Sequence, residues 1–255
     1  MIQKIFPEEA DTVHLSSRSS PTIPDGGKPD YRNVVVNKPW GYEYLMFENE
    51  HVAIWVLFLK NGAKTSMHCH PKKRTSLLVL GGKVVTSSLS KQFELDPLHG
   101  VVIDRGTFHS TASVHEEGSF VMEIENPVEK SDLVRLNDQY GRENKGYESG
   151  EDISKELDKY DHHAFHHSSP DNRSITEKTI RQSRVVLHAN EDWEQLRSEI
   201  AAKDACVVSF LDTSLVDESG VVVLGVGEIC SGTWLLEHHA KMSPQVSTFT
   251  ALAVY

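Results

Sequence analysis

Cysteine is scarce in this chain. The 255 residues hold three, Cys69, Cys206 and Cys230. An odd, widely spaced set offers no disulfide framework and no zinc-ligand spacing, and it points to a reducing interior. Long apolar runs are also lacking: the longest, Val52 to Leu59, is far too short for a membrane span. Positive charge is in deficit, with 26 basic against 37 acidic residues and a net charge of −11. That balance argues against nucleic acid as a partner and for a soluble, self-repelling particle. The N-terminus, Met1 to Glu9, is acidic and broken by Pro7, unlike a signal peptide, so a cytoplasmic setting is expected. The dinucleotide fingerprint is incomplete as well. Gly225-Val226-Gly227 follows an apolar run, but Cys230 stands at the third glycine position and no acid follows Glu237.

What the chain does have is a concentration of histidine in strand-like sequence. Between Gly62 and Gly82 lies the run Met67-His68-Cys69-His70. In an extended segment, side chains at i and i+2 leave the same face, so His68 and His70 point one way and Cys69 the other. A third histidine, His109, follows the apolar run Gly100 to Ile103 and the Arg105-Gly106 turn. Three imidazoles plus water make a workable site for Zn²⁺ or Fe²⁺.

Short, turn-separated strand signals fill the region around them: Asn33 to Val36, Pro39 to Tyr44, Val52 to Leu59, Ser76 to Leu80, Lys83 to Ser87, Phe93 to Leu95, Gly100 to Ile103, His109 to Val114 and Phe120 to Glu125. That spacing reads as an all-β barrel or sandwich, with no useful helical period before residue 150. Glu123 and Glu125 share one face of their strand, and Met122 and Ile124 take the other. Either face could be the interior, although a pair of strand acids more often faces water. If the acids face inward, Glu123 is the candidate base or fourth metal ligand. Lys72, Lys73 and Arg74, with Arg142, could hold a phosphate or another anionic group, or could serve as an edge-strand charge cluster.

The pattern Gly62-x5-His68-x-His70, the Gly81-Gly82 turn and Gly106-x2-His109 resembles the two motifs of the cupin family, jelly-roll barrels that hold a metal inside. The first motif of that family carries a Glu four or five residues after its second His, where this chain has Arg74 and Thr75; the second carries a Pro where this chain has Asp104. The ends narrow the resemblance. Asn37-Lys38-Pro39-Trp40-Gly41 and the segment Asp132 to Arg142 are similar to the cupin domain of type II mannose-6-phosphate isomerases, over roughly residues 37–148. The resemblance implies a divalent metal (Zn, Fe, Mn or Ni) on His68, His70 and His109. It also implies a sugar or sugar-phosphate substrate, isomerase or epimerase chemistry and a homodimer; for that chemistry the residues themselves offer Glu123 and Lys73 as catalytic groups and Arg74 and Arg142 for the substrate. Two other readings stand beside it: a non-catalytic carbohydrate-binding or regulatory cupin, and a non-haem iron oxygenase.

The expected organisation is mainly β: a flexible N-terminal arm (1–32), a cupin jelly-roll barrel (33–148), a polar linker (149–182) and a small α/β module (183–255). In the linker, His162, His163, His166 and His167 could gather on one helical face, more simply read as a solvated patch. In the last module the order of strand and helix signals, βαββαβ, is that of ferredoxin-like domains, with Asn190 as the cap of a helix beginning at Glu191.

Overall fold

Alternation along the strands decides the architecture. In the computed structural model, which describes residues 1–18, 30–142, 152–165, 174–203 and 205–255, the first half forms two facing sheets. Eight strands make the larger one: β1 (Ile2–Ile5), β2 (Val35–Lys38), β3 (Gly41–Glu48), β4 (Ala53–Leu59), β6 (Arg74–Gly81), β9 (Gly100–Ile103), β11 (Ser119–Asn126) and β13 (Ile153–Ser154), in the order β1-β9-β6-β11-β4-β3-β2-β13. The smaller has β5 (Met67–Cys69), β7 (Val84–Ser88), β8 (Gln92–Leu95), β10 (His109–Ser113) and β12 (Val134–Asn137), in the order β12-β5-β10-β7-β8. Apart from the parallel pair β1–β9, every pairing is antiparallel. The chain is mainly β, with two facing, largely antiparallel sheets in a jelly-roll barrel.

On β4, Ala53, Trp55, Leu57 and Leu59 enter the barrel interior with Trp40, Leu77, Val79 and Val121. Ile54 and Val56 leave by the opposite face. That opposite face does not meet water. It packs against a second sheet built from β14 (Ser174–Ile180), β15 (Ser183–Glu191), β16 (Val207–Phe210), β19 (Ile229–Ser231) and β21 (Phe249–Val254), in the order β14-β15-β21-β16-β19. Ile54, Val56, Leu78, Leu80, Met122 and Ile124 share one apolar layer with Ile180, Val185, Leu187, Leu252 and Val254. The far side of the second sheet is covered by α2 (Trp193–Ala201) and α3 (Gly232–His238) around Leu196, Ile200, Val208, Phe210 and Leu235. A three-stranded sheet, β17 (Leu215–Asp217), β18 (Val222–Leu224) and β20 (Met242–Pro244), completes the module. Strands joined through a helix, β15 with β16 and β19 with β21, run parallel with one strand between them, as in split βαβ units. The added strand β14 pairs with β15 at the sheet's edge.

Several local expectations are corrected. The lead-in expected as a flexible arm contains β1 and a helix, α1 (Glu9–Ser16). The helix shows no apolar period because its buried residue is a carboxylate, Asp11, which accepts from the N–H groups of Glu8 and Phe108. The segment expected as a polar linker contributes β13, a 3-10 turn at Leu157–Lys159 and the buried Phe165, whose N–H donates to the Met46 carbonyl. Helix α2 is capped by Asp192, whose carboxylate accepts from the Gln195 N–H; Asn190 instead sits at φ +51 in a bulge of β15. Of the histidine patch, His166 and His167 lie outside the described residues.

Candidate metal centre

His68 and His109 stand directly opposite one another on β5 and β10. His68 faces the barrel interior, while Cys69 turns outward into a small apolar cluster with Phe108, Val134 and Leu15 of α1. His70 follows just past the end of β5, and the three rings lie with centroids 4.4–5.5 Å apart. One nitrogen from each falls within 4.8 Å of the others.

The backbone fixes which nitrogen is free. Each imidazole has its Nδ1 against a carbonyl oxygen: His68 on Ser66 at 2.8 Å, His109 on Thr107 at 3.0 Å, and His70 on Asp132. A carbonyl can only accept, so each Nδ1 carries the proton and donates it. Each Nε2 then keeps its lone pair for the interior, the tautomer a metal needs. The Nε2 of His70 is buried with no hydrogen-bond partner among the described residues. Burial pushes the pKa values of His68 and His70 well below the ordinary histidine range and that of His109 down to about 4, so the trio is neutral near pH 7. A buried orphan acceptor among neutral imidazoles fits a divalent cation.

Asp132 holds this arrangement from behind. Its carbonyl takes the His70 proton, and its carboxylate accepts the N–H groups of Lys72 and Lys73 at 2.8 Å each. Asp11 does the same for the other arm, taking the Phe108 N–H next to His109 at 2.8 Å. The sequence carried Asp132 inside its closing segment, but nothing in the pattern marked Asp11.

Glu123 and Glu125 face inward. Their strand neighbours Met122 and Ile124 belong to the apolar layer under the second sheet, so both faces of β11 are buried and the acids take the barrel side. Glu123 Oε1 lies 3.9 Å from His70 Nε2, and the two acids with His70 form a second group of potential ligands. A carboxylate is therefore present beside the histidines, delivered by β11 rather than by β6. Burial, reinforced by the charge of Glu125, raises the pKa of Glu123 to about 8. Burial also opposes ionisation of Glu125, but Lys73 and Lys130 outweigh it and hold its pKa below the usual range.

Lys73 is wholly buried, its Nζ 2.7 Å from Glu125 Oε1. Lys130 lies 3.1 Å from Glu43 and 3.9 Å from Glu125, with its ammonium 3.5 Å above the Trp55 ring. Lys38 approaches Glu43 at 3.6 Å. Sequence reading missed Lys38, Glu43, Lys130 and Arg135; the alternation of Val36 with Lys38 and of Glu43 with Leu45 on inward faces was the available signal. Arg142 lines the same pocket and grips Asp138 through its backbone N–H, Nε and a terminal nitrogen. The pocket is narrow, with a cavity of about 60 Å³ that opens toward solvent.

Arg74, expected at the substrate, is not brought to the histidines. It leaves β6 on the outer face, where it pairs with Asp104 at 3.0 Å and Glu228 at 2.9 Å. Ser76, on the same face, donates to the Gly227 carbonyl at 2.8 Å. Thr75, Arg74's neighbour at the usual Glu position, is the buried one and pairs across the strands with Glu125.

No family model and no curated protein matches this chain. Solved structures similar to it include KdgF from Halomonas sp. (16% identity, TM-score 0.35, covering 36% of this chain and 84% of that one). CapF, a capsular polysaccharide assembling protein of Staphylococcus aureus, is 17% identical with a TM-score of 0.38, over 41% of this chain and 34% of that one. A sugar phosphate isomerase from a cupin superfamily, of Silicibacter pomeroyi, is 13% identical with a TM-score of 0.32, over 33% and 58%.

Proposed function

We propose that this chain is a metal-dependent cupin acting on a sugar or sugar phosphate, as an isomerase or epimerase. The observation that carries the reading is the convergence of three neutral imidazoles, Nδ1 committed to carbonyls, beside an inward carboxylate. His68, His70 and His109 would hold the ion, with Glu123 as fourth donor or adjacent base. Bound there, a divalent metal supplies a Lewis acid that polarises carbonyl and hydroxyl oxygens. Moving a carbonyl between adjacent carbons also requires one group that takes a proton and returns it. Glu123 is suited to that role, because its raised pKa keeps both forms accessible near neutrality and a neighbouring cation favours the carboxylate. Lys73, fixed by Glu125, would donate to a substrate oxygen, and Arg142 at the pocket wall would meet an anionic group.

Elemental analysis of the purified protein, with His68→Ala and His109→Ala variants, is the test. Roughly one metal per chain lost in both variants, followed by turnover of an aldose or ketose phosphate that Glu123→Gln abolishes, is the expected outcome. A barrel that cannot be loaded with Zn²⁺, Mn²⁺, Fe²⁺ or Ni²⁺ would end the enzyme reading and leave sugar binding without turnover in its place.

A further inference from the structure

The C-terminal module has its own group of potential ligands, distant in sequence from the barrel histidines. His188 lies on β15 opposite Ala251 of β21, and so shares its face of the sheet, beneath α2. Between His188 and Glu191 the register slips: three steps along β15 match two along β21, with Asn190 at φ +51. Residues three apart in a regular strand face opposite ways; this bulge turns Glu191 to the side of His188. Glu199 comes down from α2, one turn after the buried Leu196. His188 and Glu191 are fully buried, and Glu199 is about one-third exposed.

We propose that His188, Glu191 and Glu199 form a second divalent-metal site, for an ion of the Zn²⁺ class. The donor spacing carries the assignment. Tetrahedral coordination at 2.0–2.1 Å places ligand atoms about 3.3 Å from one another. His188 Nδ1 lies 3.2 Å from Glu191 Oε2 and 3.6 Å from Glu199 Oε2, and all three donors fall within 4.8 Å. The longer distance exceeds a hydrogen bond and lies within about 0.3 Å of a coordination edge. Nε2 of His188 is buried with no hydrogen-bond partner among the described residues, and Nδ1 is the ring nitrogen that faces the carboxylates. A divalent ion would engage all three donors at once, two carboxylates and an imidazole. The partly exposed Glu199 gives the ion a route from solvent and leaves the fourth position to water. Such an ion would pin α2 to the end of β15.

Zinc titration with elemental analysis of the full chain tests this independently of the barrel site. Glu199→Ala, at a partly exposed position, is expected to keep the circular dichroism spectrum of the wild type, to bind one zinc fewer per chain, and to weaken that ion's affinity at least ten-fold. His188→Gln should remove the same ion, and His109→Ala should not. With His109→Ala in place, zinc should still raise Tm, and adding Glu199→Ala should abolish the rise. If the barrel binds no metal, the wild type carries one zinc and Glu199→Ala none. Unchanged stoichiometry and affinity in both Glu199→Ala and His188→Gln, or no zinc beyond that removed by His109→Ala, would overturn the site.

Discussion

Replacing Lys73 by methionine removes the cation of the most enclosed ion pair in the barrel. Lys73 Nζ and Glu125 Oε1 are 2.7 Å apart, and neither side chain is more than 2% exposed. At an effective dielectric near 20, two charges at that distance attract by about 6 kcal/mol, and desolvation offsets most of it. The variant, however, does not restore the separated ions to water; it leaves the Glu125 carboxylate buried with Lys130 at 3.9 Å as its remaining cation. Lys73→Met should therefore destabilise the metal-free protein by about 3–5 kcal/mol, the usual cost of orphaning one member of a buried pair. Glu125→Gln should cost a similar amount, because Lys73 then loses its carboxylate while Lys130 keeps Glu43 at 3.1 Å. The double variant should cost clearly less than the sum, with a coupling of about 2 kcal/mol or more. Urea unfolding in EDTA near pH 7, compared at constant m, measures all four corners of the cycle. Single losses below about 1 kcal/mol, or additive effects, would refute the buried-pair account. Lys73 would then be available as a mobile catalytic group.

Metal-free stability should also depend on pH in two opposed ways. Glu123 titrates higher in the folded state than in the unfolded chain, so its contribution falls as pH rises from about 4.5 to about 8. The histidines are depressed, so theirs is lost as pH falls from about 6.5, for His109 down to about 4; denaturant midpoints of Glu123→Gln should lack the alkaline decline. If Glu123 is the fourth ligand, zinc binding near pH 6.5 should release about one proton that Glu123→Gln does not release, read by calorimetry in two buffers. Asp132→Ala should weaken barrel metal affinity about 10- to 100-fold, with Asp132→Asn intermediate because its amide oxygen can still accept. Gly41→Ala should destabilise strongly, since its Cβ would stand 1.9 Å from the Phe58 carbonyl oxygen at a backbone φ of +152; an unchanged Tm would contradict the observed strand contact. A chain cut after residue 165 should associate or precipitate, because Ile54, Val56, Leu78 and Met122 would lose the sheet that covers them.

The barrel and the strand that carries His68 were legible in the chain alone. Two-residue periodicity and glycine turns are local, so the strands from β3 to β11 and the shared face of His68 and His70 follow from backbone geometry. The Pro-Trp-Gly segment was legible for the same reason, although the purpose of Gly41 appears only where β4 presses on it. Local pattern could not say which face of β11 looks inward, since Met122-Glu123-Ile124-Glu125 satisfies either choice. The second sheet decided it by covering the apolar face, and that packing partner lies more than fifty residues away. The same layer sends Arg74 to Asp104 and Glu228 rather than to a substrate. Helix α1 escaped the periodic reading because it anchors through Asp11, a single carboxylate on a distant N–H, and hydrogen bonds of that kind leave no repeat in the chain. The group His188, Glu191 and Glu199 depends on a one-residue slip in strand register, and register is fixed between strands, not within them.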